Sequence, residues 1–140
     1  DSCKTAEQSH QCLCTIPMVG PFLACEIWTD LTYFGFFKQG WTDNDFVNIG
    51  PGARWGLEIL YEKANNFQYS KYLDHLYTLQ KSILPTIEKT PTWQTIAYKH
   101  AYSNVPFLSL TNMEGALCEF RKYWRLKHAK GKRRYFTPVS

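Results

Sequence analysis

The sequence predicts an all-α fold, and three observations carry that expectation. No stretch shows the alternating Val, Ile and Thr pattern of a half-buried strand. Apolar side chains recur instead at helical spacing, most plainly at Tyr72, Leu73, Leu76, Leu79 and Ile83 between Tyr69 and Leu84. Helix starts are marked by Gly20-Pro21, by Gly50-Pro51 and by Thr111-Asn112-Met113-Glu114, which reads as a capping box with Thr111 as N-cap.

Taken in order, residues 1–11 are polar and read as loose chain or an incomplete helix. Ile16-Pro17-Met18-Val19-Gly20 forms a tight turn, in which Gly20 supplies backbone freedom, and a helix follows from Pro21 to about Tyr33. Pro suits the first helical position because its missing N–H would be unpaired there anyway. Gly35 and Gly40 bracket a connecting loop. Ile49-Gly50-Pro51 then repeats the apolar-Gly-Pro grammar of Val19-Gly20-Pro21 thirty positions on, and opens a helix expected to end at Asn65-Asn66. Gly52 and Gly56 would let another backbone or a ligand come close. The Tyr69–Leu84 helix is scaffold, punctuated by Pro85 and Pro91. Trp93, Ile96, Ala97 and His100 suit a further helix, with His100 as a packing residue. Leu117, Cys118, Phe120 and Trp124 give the last helix its buried stripe.

Composition narrows the function. At 140 residues, 44% hydrophobic and 16% aromatic, the chain can bury a proper core. No apolar run is long enough to cross a bilayer, so no membrane partner is expected. Net charge is a modest +4, but Arg121, Lys122, Arg125, Lys127, Lys130, Lys132, Arg133 and Arg134 supply 8 of the 16 Lys and Arg residues, with no acid after Glu119. Such a one-sided end suits a polyanion, and DNA is the expected partner. The five cysteines are read as free thiols in a reducing, intracellular setting, nuclear if the source is eukaryotic. Cys12-Leu13-Cys14 lacks metal-pair spacing and the four histidines stand singly, so neither a metal nor a cofactor is expected. Residues 1–15 are read as an N-terminal segment at a fragment start, 16–130 as the helical domain and 131–140 as a basic tail.

A phosphate seat is expected at the two Gly-Pro helix starts, where unpaired backbone N–H groups face outward. Gly20, Asn48, Gly50, Gly52 and Arg54 are the candidate phosphate-binding residues there, joined by Arg121, Arg125, Arg133 and Arg134 from the basic end. Among the acids, Asp45 and Asp30 are the candidate catalytic residues, since a carboxylate beside helix N-termini can move a proton or stabilise charge at a reacting carbon. Asp43 and Asp45 also suit turn chemistry. Trp41, Phe46 and Trp55 could stack on an everted base.

Ile16, Pro17, Val19, Gly20 and Ala24 resemble the hairpin of helix-hairpin-helix DNA-binding proteins, with Met18 standing where that pattern has a glycine. In helix-hairpin-helix glycosylases, the resemblance places an essential Asp near Asp45, and Phe22 occupies the position of the lysine nucleophile of bifunctional members. More narrowly, Gly20-Pro21-Phe22-Leu23-Ala24 with Thr29-Asp30-Leu31, then Asn44-Asp45-Phe46-Val47 with Gly50-Pro51-Gly52-Ala53 and Gly56-Leu57, resemble the helical domain of 5-hydroxymethyluracil DNA kinases and of alpha-glutamyl/putrescinyl thymine pyrophosphorylases. Leu117-Cys118-Glu119-Phe120, Lys122-Tyr123, Arg125 and Gly131-Lys132-Arg133-Arg134-Tyr135 extend it to about residue 135. Trp55 stands where a small polar or basic residue is expected.

The resemblance implies a helix-hairpin-helix glycosylase-like fold and group transfer at a modified thymine or 5-hydroxymethyluracil in DNA. In the pyrophosphorylase branch a small amine displaces pyrophosphate; in the kinase branch a neighbouring P-loop domain supplies the phosphoryl group. No Gly-x-x-x-x-Gly-Lys-Ser/Thr occurs in these 140 residues. The alternatives are a non-catalytic helix-hairpin-helix DNA-binding module and a protein-interaction domain with an inherited helical fold.

Overall fold

A computed structural model describes residues 3–62, 68–87 and 108–128, and among these it is all-helical, with no strand. Five helices follow in order: α1 (Ala6–Cys14), α2 (Pro21–Tyr33), α3 (Pro51–Leu60), α4 (Tyr69–Ile87) and α5 (Leu110–Lys127). The expected helix around Trp93–His100 and the tail at 131–140 lie outside the described residues.

Local chemistry accounts for most boundaries. Residues 3–11 hold more order than expected: Thr5 caps α1, its side chain accepting from the Gln8 N–H. Pro21 opens α2, and Phe34-Gly35 closes it. There the Gly35 N–H bonds the Thr32 carbonyl at 3.0 Å and the Phe36 N–H reaches back to Leu31 at 3.0 Å. This is a Schellman motif, and it needs the left-handed φ of +62° that Gly35 adopts.

Four sequence readings are corrected. α3 ends at Leu60, not at Asn65-Asn66, and Glu62 just beyond it takes a positive φ of 50°. α4 runs through Pro85 to Ile87. The N-cap of α5 is Ser109, whose hydroxyl accepts from the Asn112 N–H at 3.1 Å, because Thr111 is drawn elsewhere and donates its own hydroxyl to the Asp43 carbonyl at 2.9 Å. Within the first turn, the left-handed residue is Met18 (φ +70°), followed by a Val19 N–H to Ile16 carbonyl bond of 3.0 Å. Gly20 sits at an ordinary φ of −80° with open space where a side chain would go.

Two packing centres result. Trp28 of α2 is fully buried against α1, donating its indole N–H to the Ser9 hydroxyl at 2.7 Å and meeting Phe46 edge-on. Ala53 and Leu57 of α3, Leu73 of α4, and Met113 and Leu117 of α5 form the larger core. The approach of α3 to α5 is close because α3 presents glycines. A Cβ built on Gly52 would lie 2.6 Å from the Cys118 Sγ and 3.2 Å from its Cα, and one on Gly56 would lie 3.1 Å from Leu117. At both positions the neighbour is α5, through the side chains and backbone of Cys118 and Leu117.

The loop 34–50 joins the two centres. Asp43 is buried, accepting from the Tyr33 hydroxyl, while the Asn44 side chain accepts from the Leu110 N–H at 2.9 Å. Gln80 of α4 bonds both the N–H and the carbonyl of Leu108, fixing the entry to α5.

Gly52→Ala is expected to destabilise the fold by ~1–3 kcal/mol through overpacking. Gly20→Ala should stay within ~0.5 kcal/mol of the parent; urea titration compares the two directly. Burial and the adjacent Asp43 push the Tyr33 phenol up to about 12. The unfolded chain loses that proton first, near pH 10, so stability falls as pH rises from about 10 to 12. Tyr33→Phe should flatten this decline in denaturant titrations at stepped alkaline pH.

Candidate nucleic-acid interface

The two Gly-Pro helix starts, far apart in sequence, meet at one cavity of about 590 Å³. α2 contributes Pro21, Phe22, Cys25 and Glu26; the entry to α3 contributes Asn48, Gly50, Pro51 and Gly52. The third wall is α5, with Glu114, Cys118, Arg121, Lys122 and Arg125. Their spacing of four, three, one and three residues keeps all five on one helical face.

The joint between the first two walls is the Pro21 carbonyl. It accepts from the His10 Nε2 of α1 at 3.1 Å and from the Asn48 side chain at 3.4 Å. His10 is buried against Phe46, so the first turn of α2 is held from behind and from the α3 side together. Neither helix start carries a side-chain cap. Among the described residues, the amides of Phe22 and Leu23 have no partner. At α3 the seat is partly taken: the Gly50 N–H donates to the Glu114 Oε1 at 3.0 Å.

The helix starts carry roughly half a positive charge each. Arg121 and Arg125 add two charges with no ion-pair partner among the described residues, whereas Lys122 pairs with Glu119. Against them stand Glu26 and Glu114. The cavity is therefore cationic along α5 and carries an acceptor where α5 meets the start of α3.

Two thiols line the walls. Burial pushes Cys25 up, reinforced by the Glu114 charge and opposed by an N–H bond from Asn48. Cys118 is raised by burial and then by Glu114, to which it donates at 3.4 Å.

The structure brings together Asn48, Gly50, Gly52, Arg121 and Arg125 of the residues singled out from the sequence, with Gly20 as N-cap immediately before Pro21. The others lie elsewhere. Asp45 is exposed, and its Oδ2 accepts from the Thr42 N–H at 2.7 Å and the Thr42 hydroxyl at 2.8 Å. Asp30 is exposed on α2, and neither carboxylate lines the cavity. Arg54 turns to the Ile49 carbonyl at 2.9 Å and lies over the Tyr69 ring. Arg133 and Arg134 lie outside the described residues.

Trp41 packs on Phe37, Phe46 on Trp28, and Trp55 on Phe120 and Trp124, so all three are engaged in ring contacts within the fold. The aromatic that the cavity presents to solvent is Phe22, 75% exposed. Glu114, Glu26 and Phe22 were missed as site residues. The signal for Glu114 was its place one turn before Cys118 and two before Arg121 on a single face, obscured by its reading as half of a capping box.

An all-helical domain with a cationic cavity at paired helix starts is the class that this fold and site define. Residues 1–133 match the family described as "5-hmdU DNA kinase, helical domain", and the chain belongs to that family. It is 29% identical over 132 residues to the 5-hmdU DNA kinase of Bacillus phage SP10, covering 84% of this chain and 19% of that protein. The chain thus spans about a fifth of that relative's length. No solved structure matches. Among the described residues, no helix is long and apolar enough to cross a membrane and no group of side chains could hold a metal ion.

Cys25 and Cys118 should alkylate slowly with iodoacetamide at pH 8, since the thiolate is the reactive form and both thiols are raised. Exposed Cys12 should react first, and denaturant should erase the difference, as mass-spectrometric time courses would show.

Proposed function

We propose that this chain is the DNA-binding helical domain of an enzyme that modifies a thymine-type base, 5-hydroxymethyluracil in particular. The observation that carries this reading is the convergence of the two Gly-Pro helix starts with Arg121 and Arg125 on one cavity. The unpartnered amides at the start of α2 suit a backbone phosphate, and the arginines of α5 extend that seat. α1, a six-residue turn and α2 serve as a helix-hairpin-helix element, with Met18 taking the left-handed turn position. Phe22, exposed at the cavity, provides a face for a base drawn out of the stack.

The family and the relative's name support the choice of base. The proposal leaves the phosphoryl transfer itself to a separate catalytic domain.

Binding to a short labelled duplex, followed by fluorescence anisotropy across a salt series, tests the proposal. Affinity should fall linearly with salt on logarithmic axes. Arg121→Gln and Arg125→Gln should each reduce the slope by about 1. Phe22→Ala should weaken binding roughly tenfold to a duplex with the target base mispaired, in line with the loss of one base-stacking contact. Absence of binding at low salt would overturn the reading.

A further inference from the structure

We propose that Glu114 is the residue by which this cavity distinguishes 5-hydroxymethyluracil from thymine, accepting a hydrogen bond from the hydroxymethyl O–H. The inference rests on the DNA reading above and adds to it the group that reads the base.

Glu114 is held in place before any ligand arrives. Its Oε1 accepts from the Gly50 N–H at 3.0 Å and from the Cys118 thiol at 3.4 Å, so α3 and α5 both fix the carboxyl group. Its Oε2 has no hydrogen-bond partner among the described residues. The bonds from Gly50 and Cys118 use one oxygen, and the second remains as an acceptor on a residue that lines the cavity. An ionised carboxylate can only accept hydrogen bonds. It therefore selects for a donor and repels an anion.

The placement of charge along α5 sets which part of a ligand reaches it. Arg121 and Arg125 lie seven and eleven residues beyond Glu114 on the same face, a rise of roughly 10 to 16 Å. Along α5, a ligand filling the cavity meets cations at one end and an acceptor at the other, while α2 adds the Glu26 carboxylate to the opposite wall. One nucleotide of DNA has that polarity, with an anionic phosphate and a base edge carrying donors. Thymine and 5-hydroxymethyluracil share the N3–H donor and differ by the hydroxyl on the 5-methyl carbon. A fixed acceptor for that hydroxyl is left unpaired by thymine, and a site built on such a bond rejects the analogue that lacks it. Asp45 cannot serve in this role, since it does not line the cavity.

The test compares duplexes carrying 5-hydroxymethyluracil, 5-methoxymethyluracil or thymine at one mispaired position, with affinity measured at fixed low salt. The wild-type chain should prefer the hydroxymethyl base over both others by roughly tenfold or more, the range for a hydrogen bond to a charged group. Glu114→Gln keeps an oxygen for the Gly50 N–H and puts an NH2 donor where the second acceptor stood. The preference for the hydroxyl over its methyl ether, whose oxygens both accept, should therefore collapse toward unity. Thermal melting of the variant confirms that it is folded. If it is not, the comparison of the hydroxyl with its methyl ether on the wild-type chain decides the matter without any substitution. DNA binding without preference, or a preference for the hydroxyl over its methyl ether that survives in Glu114→Gln, overturns the assignment of Glu114 and leaves the DNA reading standing. Absence of binding to all three duplexes overturns both.

Discussion

The arrangement depends on how closely α3 can approach α5. Gly52 and Gly56 let the α3 backbone settle against Cys118 and Leu117, at distances that a methyl group at Gly52 would violate. Ala53 and Leu57, on the same helix, then reach Met113 and Leu117 and exclude water from the core. The same approach brings the first turn of α3 beside Glu114, so the packing contact and the cavity wall are a single feature. Moving the helices apart to admit a side chain would break the Gly50–Glu114 bond as well as loosen the core.

The second constraint is the Pro21 carbonyl, shared between His10 and Asn48. α2 packs on α1 through Trp28, and α3 packs on α5 through its glycines; those two pairs have separate interiors. The His10 and Asn48 bonds, with the contacts of Asp43 and Asn44 to the start of α5, keep the two helix starts pointed at a common space. Positive helix ends that converge in this way repel each other. The Glu114 carboxylate at the Gly50 N–H offsets part of that repulsion and leaves the net field favourable to a polyanion.

Membership of the 5-hmdU DNA kinase helical-domain family gives the cavity a biological setting. The fold itself presents binding chemistry: amides, guanidinium groups, an exposed phenyl ring and a fixed acceptor. On the proposed reading, a domain that holds the target base would need those groups and little more.

The starts of α2 and α3 were legible in the residues because their causes are local. Pro at the first helical position, Gly before it, and the apolar rhythm of residues 69–83 each act within a turn or two, and α2 runs over Pro21–Tyr33 as its residues imply. The repeated Gly-Pro grammar and the basic face of α5 were legible for the same reason. What the residues alone could not settle was every choice among long-range partners. Thr111 could cap a helix by its pattern, yet its hydroxyl goes to Asp43, 68 positions away, and Ser109 caps instead. Asp45 accepts through one oxygen from Thr42, three residues before it, and stands outside the cavity lining, a placement its local pattern does not reveal. Glu114 shares a helical face with Cys118 and Arg121, but its bond to Gly50 exists only because glycines 62 and 58 residues earlier allow α3 to lie against α5, a fact of packing between surfaces that no single stretch of sequence contains.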